Sequence, residues 1–184
     1  MGWARRLEEA GIEKLSWLES LLHRCQQYPI PLCAGHGDFW ARNLLLPAEI
    51  RQYGKLPLPG VIDWESCRLR QAPFVDLFHF VLTYGLTYLW TRYRRSEPLA
   101  ALHGTFVDDN HLSREVRRYF KGYCQDTEMD PRHLRTLFEL YLLRLSVGAA
   151  PDSLDWTIRS HSPHNIWLDF YRLVRHAKTT AFTT

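Results

Sequence analysis

One polar run, set between short apolar pieces, constrains this chain more than any other feature. His36-Gly37-Asp38-Phe39-Trp40-Ala41-Arg42-Asn43 follows the apolar piece 32–35 and precedes Leu44-Leu45-Leu46, which predicts a short strand. Segment 47–59 carries Pro, Gly and charges and predicts a loop. Residues 60–64, with Val61 and Ile62, predict a second short strand. Asp38 and Asn43 lie five apart and so can point into one site from one turn. Asp63, twenty residues beyond Asn43, comes from the adjacent strand end. A lone Asp in a loop is ordinarily a turn former or a helix cap. Two carboxylates and a carboxamide from neighbouring strand ends predict a shared site.

The rest of the chain reads as helix. Ile12, Leu15, Leu18, Leu22 and Cys25 recur at three- and four-residue steps, and Pro29 and Pro31 stop that helix. Pro73 fits the first turn of a helix running to about Tyr93. Its apolar stretch 74–90 is interrupted by Asp76 and His79, too short and too polar to span a bilayer. Leu112, Val116, Tyr119, Phe120 and Tyr123 mark another helix. Pro131 opens a third, with Leu134, Leu137, Phe138, Tyr141, Leu142 and Leu145 on its face, ended by Gly148 and Pro151. Trp167, Phe170, Tyr171 and Val174 mark the last, and 179–184 is expected to fray. The fold class is therefore α+β and mostly helical, a single unit over 1–184 with a small β hairpin. Its parts are a leading helix (1–30), loops carrying the polar residues (31–66) and a helical region (67–184).

Composition removes several classes. Hydrophobic residues are 46% and charged residues 23%, which suits a globular chain rather than a disordered one. A net charge of +3 gives no concentrated basic face, so nucleic acid is not an expected partner. Cys25, Cys33, Cys67 and Cys124 form no C-x-x-C pair and predict reduced, mostly buried thiols. Residues 1–10 carry Arg5, Arg6, Glu8 and Glu9, unlike a signal peptide, and a cytoplasmic location is expected.

Phosphoryl transfer from a nucleotide needs a set like Asp38, Asn43 and Asp63. One carboxylate orients the acceptor hydroxyl and takes its proton, while a second carboxylate and an amide oxygen hold Mg²⁺ against the phosphates. Magnesium prefers oxygen ligands and keeps several waters, so two or three protein oxygens suffice.

H-G-D-x-x-x-x-N followed by I-D-W-E resembles the aminoglycoside phosphotransferase and choline kinase family, the small-molecule branch of the protein-kinase-like fold. Pro73-x-x-Asp76-Leu77 is similar to the P-x-x-D-L that follows the metal-binding aspartate in that family. The resemblance implies that Asp38 is the catalytic base and that Asn43 and Asp63 are magnesium ligands. His36 and Asp76 would support the catalytic loop, and Arg42 is a candidate phosphate contact. It implies ATP, or GTP, as phosphate donor, Mg²⁺ as cofactor and a small-molecule hydroxyl as acceptor. Gly37 where protein kinases carry Arg, and Asp-Trp-Glu in place of Asp-Phe-Gly, separate the chain from that branch.

The resemblance runs from about residue 12 to 184 and corresponds to the C-terminal lobe only. About 35 residues precede the motif, with no glycine-rich run and Lys14 as their one lysine. A complete member would carry an N-terminal β lobe of about 100 residues. That lobe is expected to be absent here, or to come from elsewhere, which makes the chain a truncated or half enzyme. The alternative is a non-catalytic, kinase-like binding module. A metal-dependent hydrolase ranks last, for want of a His-rich or multi-carboxylate metal shell.

Other clusters carry less. His161, His164 and His176 lack Cys or acidic partners at helical spacing. Glu65 reads as a solvated loop acid. Arg92, Arg94 and Arg95, with Arg114, Arg117, Arg118 and Lys121, read as solvated helix faces. Trp156 and Trp167 read as core, and Asp152, Asp155 and Asp169 lie only positionally near an acceptor region.

Overall fold

The structure is a computed structural model and describes residues 30–46, 60–93, 97–147 and 165–177, together with Glu19, Ser20, His23, Gln26, Gln27 and Phe182. Ile12, Leu15, Leu18, Leu22 and Cys25, the loop 47–59, the helix stop at Gly148 and Pro151, Asp152, Asp155, Trp156, His161 and His164 lie outside the described residues, as do Arg94 and Arg95. Glu19, Ser20, His23, Gln26 and Gln27 are helical and exposed.

Two small antiparallel pairs replace the single expected hairpin. Strand β2 (Leu44–Leu45) pairs with β3 (Gly60–Val61), Leu44 opposite Val61. Strand β1 (Cys33–Gly35) pairs with β4 (Arg68–Gln71) through an irregular register. The sequence reading missed β4 because its polarity is inverted: Leu69 is exposed and Gln71 is buried. The two pairs are nested along the chain, so the loop after β1 and the turn after β3 are brought side by side.

Five helices follow: α1 (Val75–Tyr93), α2 (Pro98–Phe106), α3 (His111–Asp126), α4 (Arg132–Ser146) and α5 (Ile166–His176). Helix α1 begins two residues later than expected, because Pro73 sits in the turn before it and Phe74 takes φ 69°. Helix α2 has no sequence counterpart above: Pro98-Leu-Ala-Ala-Leu-His-Gly-Thr-Phe lacks a polar face, and six of its nine residues are buried. Asn110 caps α3 reciprocally with Ser113 and also donates to the Gly104 carbonyl, fixing the turn from α2. None of the described helices is long and apolar enough to cross a membrane.

The core lies between the helices and is aromatic. Phe78, Phe106, Phe120, Phe138 and Phe170 are buried in mutual ring contact, with centroids 4.9–6.5 Å apart. Phe182 joins them, 4.5 Å from Phe138 and 5.5 Å from Phe120. The expected fraying of 179–184 is thus corrected at Phe182, where one ring is docked in the core. The thiol expectation is corrected too: Cys33, Cys67 and Cys124 are free, but Cys67 is exposed and Cys33 half-buried. Burial pushes the Cys33 and Cys124 thiols above their ordinary value.

Truncating a buried Phe ordinarily costs about 3–5 kcal/mol, as transfer energy and cavity combined. Phe182→Ala is expected to lower the unfolding free energy by about 3 kcal/mol in a urea titration. A change within about 0.5 kcal/mol, normal for a surface position, would show the tail undocked.

Candidate active site

The loop between β1 and β2 is held from behind by the start of α1. The Asp76 carboxylate accepts from the backbone N–H of His36 at 2.7 Å and of Gly37 at 2.9 Å. Both groups would otherwise lack partners in a partly buried place. Close approach needs small residues: a Cβ on Gly37, which has φ 86°, would lie 2.2 Å from the Ser66 carbonyl oxygen. A Cβ on Gly35 would meet the Gln71 side chain at 1.8 Å.

His36 is buried and ties the two loops together. Its Nε2 donates to the Ile62 carbonyl at 2.8 Å, while its Nδ1 accepts from the Asp38 N–H at 3.3 Å. Trp64 packs on the ring at 4.7 Å and donates its indole N–H to the Val61 carbonyl. Asn43 is also buried; its Nδ2 donates to the Asp38 carbonyl at 2.9 Å, and its own carbonyl accepts from Ile62 N at 3.0 Å. With the amide nitrogen committed, Oδ1 is the atom that Asn43 presents to a ligand. Asp63 follows Ile62 directly. It is exposed, lies in the left-handed region at φ 66° and ψ 58°, and its carboxylate has no partner among the described residues. A non-glycine residue held there stores local strain.

The structure therefore brings His36, Asp38, Asn43 and Asp76 into one hydrogen-bonded unit, with the Asp63 backbone joined to it through Ile62. Arg42 is exposed, with its guanidinium 5.5 Å from the Trp40 ring centroid. Glu65 is exposed. Trp167 is buried, and Asp169 pairs with Arg172. Arg117 and Arg118 pair with Asp109 and Glu115. Among the described residues no three His, Cys, Asp or Glu side chains gather as a metal cluster.

Two further residues enter the site that the sequence reading had not assigned to it. His79, buried in α1, lies with Nε2 3.0 Å from Asp38 Oδ1 and Nδ1 3.0 Å from the Tyr141 hydroxyl. Burial pushes the Tyr141 phenol far above its ordinary value, so it stays protonated beside Nδ1. His79 Nε2 faces the Asp38 carboxylate, which only accepts. The signal was legible: a histidine three residues after Asp76, on the same helix face, inside an apolar stretch, needs a polar partner.

A model of the phosphotransferase enzyme family matches residues 1–120, well over half of the chain. The chain belongs to that family. The match spans both loops and helices α1 and α2, and most of α3, but not α4 or α5. No curated protein and no solved structure matches the chain. Within this phosphotransferase the loop brace is testable by itself. Asp76→Ala leaves two N–H groups unsatisfied and is expected to cost about 2–4 kcal/mol of stability in a denaturant titration. Asp76→Asn, which retains one acceptor, should cost less; equal stability of all three proteins would show that the brace does not form.

Proposed function

We propose that the chain transfers the γ-phosphate of ATP, or GTP, to a hydroxyl of a small molecule, with Asp38 as the base. The observation that carries this is the hydrogen-bonded unit around Asp38. His79 holds one carboxylate oxygen of Asp38, and the carboxylate would accept from the acceptor hydroxyl. Asp38 accepts the hydroxyl proton as the oxygen–phosphorus bond forms and the bond to the β-phosphate oxygen breaks, releasing the nucleoside diphosphate.

Asn43 and Asp63 suit a hard divalent cation by their donor chemistry: an amide oxygen with its nitrogen already committed, and an unpartnered carboxylate. Mg²⁺ bound there would neutralise charge on the phosphates. Arg42 is the candidate phosphate contact from the rim. His36 and Asp76 hold the loop and touch no reacting atom.

The acceptor would enter along a groove of about 990 Å³ between α1 and the start of α3, lined by Phe80, Tyr84, Tyr88, Tyr119, Asp108 and Asp109. Phe39, beside Asp38, packs on Phe80 at 5.6 Å. The Phe80, Tyr84 and Tyr88 rings continue from it nearly parallel, at 6.2 and 5.5 Å spacing. In this scheme 1–184 is one lobe, with 31–66 as the reacting loops and 67–184 as the acceptor side. A β-rich lobe over the nucleotide, on a longer form of the chain or on a separate one, would complete the cleft.

Asp38→Ala is expected to lower turnover by roughly 10²–10⁴-fold in a nucleotide-consumption assay against hydroxyl compounds, with Mg-ATP binding retained in calorimetry. Unchanged turnover would refute Asp38 as base. Mg-ATP binding without turnover in the unaltered protein would assign it as a binding module instead. His79 acts through Asp38 as a positioning residue. His79→Leu should lower kcat roughly 10–100-fold with KM for ATP unchanged. His79→Gln, which keeps a donor near Nε2, should recover much of it; equal rates in both variants would remove His79 from the mechanism.

A further inference from the structure

Behind the reacting loops, strand β4 and helix α4 enclose a second recess that this chemistry does not use. Its volume is about 290 Å³, at the small end of ligand-sized cavities. Three arginines line it: Arg68 and Arg70 from β4, and Arg144 from α4. No acidic residue is in the lining. Among the described residues none of the three arginines has a carboxylate partner, whereas Arg117, Arg118, Arg132, Arg135 and Arg172 all do. Three guanidinium groups around a concave wall reinforce one another's field, and Arg68 and Arg70 are exposed to an incoming anion.

Gln71 supplies an independent observation. It also lines the recess and is 93% buried, and its Oε1 is buried without a hydrogen-bond partner. Buried polar atoms are almost always paired, so this acceptor beside the recess is open to a donor from a ligand or a water. Tyr141 lines the same wall, but its hydroxyl is already engaged by His79 and adds no donor.

We propose that this recess is a binding site for a small phosphate-bearing anion, separate from the nucleotide. Arg68, Arg70 and Arg144 would hold the phosphate oxygens through their planar, forked donors. A protonated phosphate oxygen, or a water carried in with it, would satisfy Gln71 Oε1. The size of the recess admits a phosphate and a few further atoms, not a nucleotide. The inference does not rest on the proposed reaction, since neither Asp38 nor the magnesium residues take part.

The test is calorimetric titration of the full chain, at low salt and without nucleotide, with inorganic phosphate and separately with glycerol 3-phosphate. Saturable one-site binding is expected, weakened at least tenfold by Arg144→Ala and by the Arg68→Ala/Arg70→Ala pair. The second variant changes only exposed strand residues, so it reports even where Arg144→Ala fails to fold. Arg114→Ala, a charge removed from exposed α3, is expected to leave binding unchanged. Tighter binding of the ester would identify a phosphorylated metabolite, and tighter or equal binding of phosphate the free ion. Absence of saturable binding, affinity unaltered by the β4 pair, or equal losses in all three variants would overturn the proposal.

Discussion

The arrangement of the polar loop residues depends on one carboxylate. Asp76, at the first turn of α1, accepts from two successive backbone N–H groups of the loop after β1. A side-chain acceptor shared by adjacent amides fixes the orientation of that loop against the helix. It also joins the hairpin region to the aromatic core, because α1 carries Phe78 and Leu82 into the interior from its other face. The loop is therefore positioned by the most deeply buried part of the molecule.

From that anchor the polar network spreads outward through defined protons. His36 uses one ring nitrogen to donate to Ile62 and the other to accept from Asp38 N, so a single tautomer satisfies both loops. His79 ties the same loop to the core, with Nδ1 at the Tyr141 hydroxyl and Nε2 at Asp38. The network holds together the groups that the proposed chemistry would use: the Asp38 carboxylate and the Asn43 side chain, with Asp63 next to Ile62. Pre-organisation of this sort removes the need to reorient these groups during the reaction. Membership of the phosphotransferase enzyme family agrees with that arrangement over residues 1–120.

Much of this was legible in the residues, and the failures have physical causes. Helices α3, α4 and α5 follow from three- and four-residue apolar spacing, and α1 from Pro73 at the head of a long apolar stretch. The β2–β3 pair follows from two short apolar runs. Helix α2 was missed because it is buried nearly all round and so has no periodicity to detect. Strand β4 was missed because three of its four residues, Leu69 among them, are exposed and the one buried is Gln71, so no apolar alternation marks it. Phe182 was missed because an isolated ring in a threonine-rich tail says nothing of what it meets. The loop residues were found through their spacing; His79 stood out only as a polar residue in an apolar stretch, and its partner Asp38, 41 residues away in the chain, could not be named from it. Long-range pairing leaves no local pattern.

The central claim is that Asn43 and Asp63 grip one divalent cation beside Asp38. Electron paramagnetic resonance of Mn²⁺ titrated into the protein with ATP addresses it directly, because bound and free Mn²⁺ give different signals. One bound Mn²⁺ is expected, lost in Asp63→Ala and weakened in Asn43→Ala, yet retained in Asp38→Ala. Mn²⁺ bound equally by all four proteins, or by none, would contradict the account.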